Sequence, residues 1–169
     1  MNDPPFRLAP PGAEQNRDSF CCGEEALDRY LKTQATQDIR RRIASCIVAV
    51  ESATDLLAGY YTISAASIPL VNLPPEEAKR LPRYPTLPAV RIGRLAVDQK
   101  FQGRGLGGAL LVDAARRSLQ SPPAVWALLV EAKNENAVAF YQRFGFRTFA
   151  GQPRILFLPI KTGEKVLLS

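Results

Sequence analysis

Residues 91–108 read R-I-G-R-L-A-V-D-Q-K-F-Q-G-R-G-L-G-G. Leu95-Ala96-Val97 is a short apolar run of the length a buried strand needs. A polar turn, Asp98-Gln99-Lys100, follows it, and glycines then stand at 103, 105, 107 and 108. The next run, Ala109 to Ala115, has helical spacing, with Leu106, Leu110 and Ala114 on one i, i+4 row. The order is strand, glycine loop, helix start. The first amides of a helix have no acceptor inside it, and the helix dipole places partial positive charge there. Glycines let such a loop turn its N–H groups towards one centre and let a ligand approach the backbone. A phosphate or pyrophosphate is the usual guest. The blander alternative is a glycine turn that merely starts a helix.

The choice of phosphate ligand narrows by pattern. No Gly-Lys-Ser/Thr occurs, so the P-loop signature is absent. Gly103, Gly105 and Gly108 satisfy G-x-G-x-x-G, and Glu131 follows at a distance compatible with a ribose contact. In a dinucleotide fold, however, the strand runs almost straight into the first glycine, whereas here Asp98 to Gln102 intervene. Gln102-Gly103-Arg104-Gly105-Leu106-Gly107 fits better. It resembles the Q/R-x-x-G-x-G/A loop of the GNAT superfamily of acyl-CoA N-acyltransferases. The resemblance implies that this loop binds the pyrophosphate of coenzyme A. It also implies that Leu95 to Val97 carries a bulge that splays the strand from its neighbour and bonds the pantetheine.

Composition excludes much else. The chain has 169 residues, enough for a single domain over 1–169 with a proper core. Its hydrophobic fraction is 46% and its charged fraction 22%, those of an ordinary globule. No apolar run approaches the roughly 20 residues of a membrane span. The N-terminus lacks a basic segment followed by an apolar one, so the expected location is cytoplasmic, with no membrane partner. Cys21, Cys22 and Cys46 are odd in number and include no C-x-x-C, so neither a disulfide framework nor a zinc site is indicated. Histidine is absent, which removes Ser-His-Asp and Cys-His catalysis and most metal sites; no metal is expected. The formal charge of +6 allows an anionic partner without requiring one.

Along the chain, Phe6 to Ala9 reads as an edge strand. A helix over Glu24 to Leu31 shows Leu27, Tyr30 and Leu31 on one face. A second helix is expected from about Ala35 to Ala44, with Ala35, Ile39 and Ile43 as its buried row. Arg40, Arg41 and Arg42 lie on its other face, with Arg29 and Lys32 nearby in sequence. They are either a solvated basic face or a phosphate-contacting patch. Cys46 to Val50 and Leu57 to Ser64 read as a hairpin around Ala53-Thr54-Asp55. A long loop dense in proline, stiff rather than floppy, separates it from a strand over Thr86 to Val97. After the glycine-loop helix, Val125 to Ala132 is a buried strand. Asn134 is placed as N-cap and Gly145 as C′ residue of a helix carrying Ala137, Phe140, Tyr141 and Phe144. Ile155 to Ile160 and Lys165 to Leu168 read as the last two strands. The fold class is therefore α/β, in the α+β sense of a mixed sheet with helices on both faces, in the order β-α-α-β-β-β-α-β-α-β-β.

Asn134 to Phe146, N-x-x-A-x-x-F-Y-x-x-x-G-F, resembles the terminal GNAT motif, whose helix flanks the thioester. Phe20 to Leu31, Gly59 to Ser64 (G-Y-Y-T-I-S), Leu81 to Pro88 (L-P-R-Y-P-T-L-P) and Gly93 to Asp98 sharpen the likeness. With the loop and the A-F-Y-Q-R-F-G-F ending, they resemble the toxin branch of GNAT toxin–antitoxin pairs, over about Phe6 to Leu158. That resemblance implies the GNAT fold with a splayed central sheet and transfer of acetyl from acetyl-CoA to the α-amine of aminoacyl-tRNA. It implies cofactor contacts at Leu95, Ala96, Val97, Gln102, Gly103, Arg104, Gly105, Leu106, Gly107, Gly108, Asn134, Ala137 and Phe140. Tyr141 takes the place of the acid that protonates the departing thiolate; the alternative is one more buried aromatic. Arg29, Lys32, Arg40, Arg41, Arg42 and Arg83 are candidates for tRNA phosphate. A ribbon-helix-helix antitoxin and a homodimer are expected on the same ground.

The chemistry is consistent with the missing histidine. An α-amine has a pKa of about 8, and esterification of the neighbouring carboxyl lowers it, so much of it is already neutral at cellular pH. A lysine acceptor, at about 10.4, would need a base, and none stands out. The leaving thiolate still needs a proton, the role open to Tyr141, and bulge amides near Val97 suit a developing oxyanion. A non-toxin acetyltransferase for a peptide N-terminus or small amine is the alternative enzyme. A pure nucleic-acid-binding module is the alternative outside catalysis.

Overall fold

The computed structural model describes residues 4–120 and 122–167. Along the chain they form β1 (Phe6–Ala9), α1 (Glu25–Thr33), α2 (Ala35–Arg40), β2 (Ser45–Glu51), β3 (Leu57–Pro69), α3 (Pro75–Ala78) and β4 (Thr86–Val97). There follow α4 (Leu106–Gln120), β5 (Ala127–Glu131), α5 (Glu135–Arg143), β6 (Arg147–Phe149), β7 (Gln152–Pro159) and α6 (Ile160–Leu167). Single 3-10 turns occupy Leu70–Asn72 and Gln99–Phe101. The strands form one mixed seven-stranded sheet in the order β1-β2-β3-β4-β5-β7-β6. The expected α/β class with its mixed sheet is thus what the chain adopts.

The residues group into two compact units. One takes in the chain up to Ser64 together with Gly93–Asp113; the other takes in Ala65–Ile92 and the chain from Ala114 onward. In the first, β1 pairs antiparallel with β2, and β2 with β3, around a turn in which Asp55 has a φ of 60°. Phe20, Tyr30, Leu31, Val48 and Tyr60 form the centre of its core. Tyr30 and Tyr60 stack at 6.3 Å, and Phe20 meets Tyr60 edge-on at 5.7 Å. In the second unit, β4 and β5 run parallel from Ala89–Ala127 to Ile92–Val130, and β7 pairs antiparallel with both β5 and β6. Ile68, Leu87, Ala127, Phe149 and Phe157 make its core.

Three expectations change. The second helix ends at Arg40, not Ala44. Arg42 has a φ of 59°, and the Arg42 and Ile43 amides donate back to the Ile39 and Asp38 carbonyls, the hydrogen bonds of a Schellman end. Of the expected buried row only Ala35 is buried; Ile39 is 37% and Ile43 58% exposed, because the chain turns away before that row is complete. The C-terminal segment read as a strand over Lys165 to Leu168 is helical through Leu167, with Leu168 outside the described residues. An apolar run that short cannot distinguish a period of 2 from one of 3.6. Gly163 is the tertiary reason a helix fits: a Cβ there would stand 3.0 Å from Leu158 Cδ2, so the bare glycine lets α6 lie against β7. The penultimate strand is instead Arg147–Phe149, and the proline-dense loop holds a helical turn at Pro75–Ala78.

One close approach sets the C-terminal end of β4. A Cβ on Gly59 of β3 would stand 2.9 Å from the Ala96 carbonyl oxygen of β4, with Leu110 and Leu106 side chains at 3.3 and 3.5 Å. Backbone has little room to yield, so Gly59→Ala is expected to destabilise the protein by about 1–3 kcal/mol. Thermal denaturation checks this; an unchanged Tm would refute the close approach.

Candidate functional site

The glycine loop is built from its anchors. Asp98 is buried and ends β4. Its carboxylate accepts from the Cys21 amide at 2.9 Å through Oδ2 and from the Lys100 amide at 2.9 Å through Oδ1. The second bond caps the Gln99–Phe101 turn. The Gln99 amide donates to the Cys21 carbonyl at 2.9 Å, and the Asp98 amide to the Ala58 carbonyl at 2.8 Å. Gln102 Nε2 donates to the Val97 carbonyl at 2.9 Å and the Cys22 carbonyl at 3.0 Å. That side chain therefore ties the strand end and the Cys21–Cys22 segment to the loop.

Gly103 and Gly105 have φ of 81° and 79°, and no atom lies within 4 Å of where a Cβ would stand on either. The loop needs glycine for its conformation, and its outer face is open. The Ala109 amide donates to the Gly105 carbonyl at 3.1 Å, the first bond of α4. The amides of Leu106, Gly107 and Gly108 precede that bond, so the helix leaves them for a ligand. Leu106 itself is buried and holds the helix start in the core. Leu95 and Val97 are half-buried and Ala96 buried. Arg104 is exposed, 3.9 Å from Glu51 and over the Phe101 ring at 5.4 Å. The residues present fit a pyrophosphate: free amides, a helix dipole, an arginine and no side chain in the way. Gly105→Val would force a β-branched residue to positive φ and raise the Kd for acetyl-CoA at least about tenfold. Calorimetric titration reads this, and an unchanged Kd would remove the loop from cofactor binding.

Tyr141 belongs to the other unit and is placed by α5. Asn134 Oδ1 accepts from the Ala137 amide at 2.9 Å, capping the helix start as the spacing requires. At the far end Gly145 has a φ of 94°, its amide donates to Gln142 and that of Phe146 to Tyr141, a full Schellman end. Phe140 and Phe144 meet edge-on at 5.2 Å, and the Tyr141 ring lies 5.4 Å from that of Phe146. Burial pushes the Tyr141 hydroxyl up to about 12. No group among the described residues hydrogen-bonds it, so its proton is available to a ligand. Ala137 and Phe140 are half-buried on the same helix, and Asn134 is exposed.

The six basic candidates are exposed. Arg29 pairs with Glu25 at 3.0 Å. Lys32, Arg40, Arg41 and Arg42 follow on α1, α2 and the turn after it, and Arg83 lies in the second unit. Sequence reading missed a network beside α2. The Arg94 guanidinium sits 3.5 Å over the Tyr30 ring, and the Tyr30 hydroxyl donates to Asp38 at 2.8 Å. Gln34 and Tyr30 hold the Asp38 carboxyl below its ordinary range. Nothing in the spacing of these residues signals that meeting. Asp98 was legible as a turn former but not as the anchor of Cys21. Burial pushes the Cys22 thiol up to about 11 and that of Cys46 up to about 12, so neither is a thiolate near neutral pH. No group of three or more Cys, Asp and Glu among the described residues is placed to hold a metal ion, and no described helix is long and apolar enough to cross a membrane.

Comparison with known proteins adds four likenesses. Residues 21–155 match the sequence profile of a family described as acetyltransferase (GNAT) domain. The tRNA-acetylating toxin of Mycobacterium tuberculosis (strain ATCC 25618 / H37Rv) is 32% identical over 151 residues, 88% of this chain and 89% of that protein. The structure of AtaT complexed with acetyl-methionyl-tRNAfMet matches with a TM-score of 0.84 at 30% identity, covering 97% of this chain and 98% of that one. A tyrosine-to-phenylalanine variant of the AtaT toxin, bound to the C-terminus of the antitoxin AtaR and acetyl-CoA, matches with a TM-score of 0.78 at 26% identity, covering 98% and 100%.

Proposed function

The chain belongs to the acetyltransferase (GNAT) family, an acetyl-CoA-dependent N-acetyltransferase, and from that premise we propose that it is a toxin acetylating the α-amine of aminoacyl-tRNA and so blocking translation. One observation carries the cofactor half. Gly103 and Gly105 sit at positive φ with open space beyond them, directly before the unsatisfied first amides of α4. The acceptor half is supported by relatives of nearly equal length, named for tRNA acetylation or solved with acetylated tRNA. We assign the whole chain to a single acetyltransferase domain, working in the cytoplasm as a homodimer beside a ribbon-helix-helix antitoxin.

In this reading the amides of Gly103 to Gly108, with Arg104, hold the pyrophosphate, while the Leu95 to Val97 backbone bonds the pantetheine. Gln102 acts by fixing the loop. Asn134, Ala137 and Phe140 flank the thioester. The neutral α-amine attacks the thioester carbonyl; a C–N bond forms and the C–S bond breaks. The Val97 region stabilises the oxyanion. Tyr141 gives its proton to the departing sulfur, and the proton lost by the amine returns the tyrosine to its neutral form through solvent. A tyrosine held at about 12 stays protonated throughout the working pH range. The protonated Cys22 and Cys46 favour this direct transfer over an acyl-cysteine at either. Arg29, Lys32, Arg40, Arg41, Arg42 and Arg83 meet tRNA phosphates, a role a small-amine acetyltransferase would not need.

Radiolabelled acetyl from acetyl-CoA should appear on charged tRNA and not on deacylated tRNA or free amino acids; label confined to peptides or small amines would replace this reading. Tyr141→Phe should lower transfer about 10²- to 10⁴-fold while acetyl-CoA affinity is nearly kept. Full activity in that variant would remove Tyr141 from the chemistry. Because the folded hydroxyl titrates near 12, activity should rise as the esterified amine deprotonates, below its free value of about 8, and then stay level to about pH 10. A decline setting in near pH 9 would assign the acid to another group.

A further inference from the structure

We propose that Tyr84 is a stacking platform for a base of the single-stranded 3′ end of the acceptor tRNA, with Lys79, Arg80 and Arg83 meeting the flanking phosphates. The inference rests on aminoacyl-tRNA being the acceptor, and it gives a role to a residue outside both the glycine loop and the Asn134–Phe146 motif.

The segment Lys79-Arg80-Leu81-Pro82-Arg83-Tyr84-Pro85 joins α3 to β4. It is held at both ends. The Leu81 amide donates to the Ala78 carbonyl at 3.2 Å, and the Leu81 side chain packs against the core of its unit. The Pro85 carbonyl accepts from the Leu70 amide at 3.1 Å. Two prolines lie between and beside these anchors, so the loop loses little further entropy on meeting a ligand. Tyr84 stands on it 62% exposed. A large aromatic held out on a stiff loop makes no contribution to the core, and it offers a flat face to a partner.

Charge selects the partner. Lys79, Arg80 and Arg83 are exposed, and none forms a salt bridge among the described residues. Elsewhere in this unit Arg91, Arg147 and Arg154 each have a carboxylate within 4 Å. Glu77, on the adjacent helix, is taken by Arg147 at 2.8 Å, leaving Glu76 as the exposed acid of α3. The segment itself carries three cations and no acid. Lysine is depleted where proteins bury one another, whereas an aromatic among unpaired cations is what unpaired nucleotides use. Every base has a π-face, so stacking tolerates any isoacceptor, and each tRNA ends in unpaired nucleotides next to the attached amino acid.

The test compares Tyr84→Ala and Tyr84→Phe in acetyl transfer to purified aminoacyl-tRNA, with the acetyl-CoA KM and sedimentation velocity alongside. Tyr84→Ala should raise the KM for aminoacyl-tRNA about 5- to 150-fold, the range that loss of one stacked base gives. The acetyl-CoA KM and the sedimentation coefficient should stay put. Tyr84→Phe, which keeps the ring, should restore the wild-type KM. An unchanged KM in Tyr84→Ala overturns the inference, as does a shift of that variant to a smaller species, which would assign the ring to a contact between copies. If the wild-type protein itself acetylates no charged tRNA, the proposed function fails first, and the two failures are thereby distinct.

Discussion

The carboxylate of Asp98 is the constraint on which the glycine loop depends. It is buried, and both of its oxygens accept backbone amides, from Cys21 and Lys100. A buried carboxylate left without donors would be strongly disfavoured, so each donor is fixed by the demand of the acceptor. One oxygen thereby shapes the 3-10 turn that leads into the glycines. The other holds a segment that lies 77 residues earlier in sequence. Gln102 repeats the device from the other side, bonding both Val97 and Cys22 carbonyls. The loop's positive-φ glycines are then flexible residues in a rigid frame, which is how a backbone nest is pre-organised for an anion.

The chemistry is economical for the same reason. A chain without histidine has no ordinary base near neutral pH. Burial raises the hydroxyl of Tyr141 and the thiols of Cys22 and Cys46 alike. Raised pKa values make poor nucleophiles and bases but keep a proton in place. Such a protein suits a reaction whose nucleophile brings its own lone pair and whose leaving group needs a proton.

Much of this was legible in the sequence wherever the signal was local. Asn134 capping Ala137 and Gly145 closing a Schellman end follow from residue type and spacing, and both are where the pattern put them. The strand over Thr86–Val97 and the helix row Leu106, Leu110, Ala114 are likewise as read. The failures have one character. Ile39 and Ile43 fit an apolar row, but Arg42 turns the chain in the left-handed region, where glycine is the usual signal and arginine gives none. The C-terminal apolar run is too short to resolve a period, and it is helical, with Gly163 close against Leu158.

The sequence by itself determined the glycine loop, the capped helix of Tyr141, the absence of imidazole chemistry and the mixed α/β order, because each is written in neighbours a few residues apart. Only the tertiary structure decided what Asp98 holds, that Gly59 lets its strand meet the Ala96 carbonyl, and that Arg94 lies over Tyr30 beside Asp38. It also decided that Lys79, Arg80 and Arg83 are left without a carboxylate among the described residues and that Tyr84, on the same segment, is exposed. Those contacts join residues tens of positions apart. Their geometry is set by packing and by the saturation of buried polar groups, and neither has a period that a linear pattern can carry.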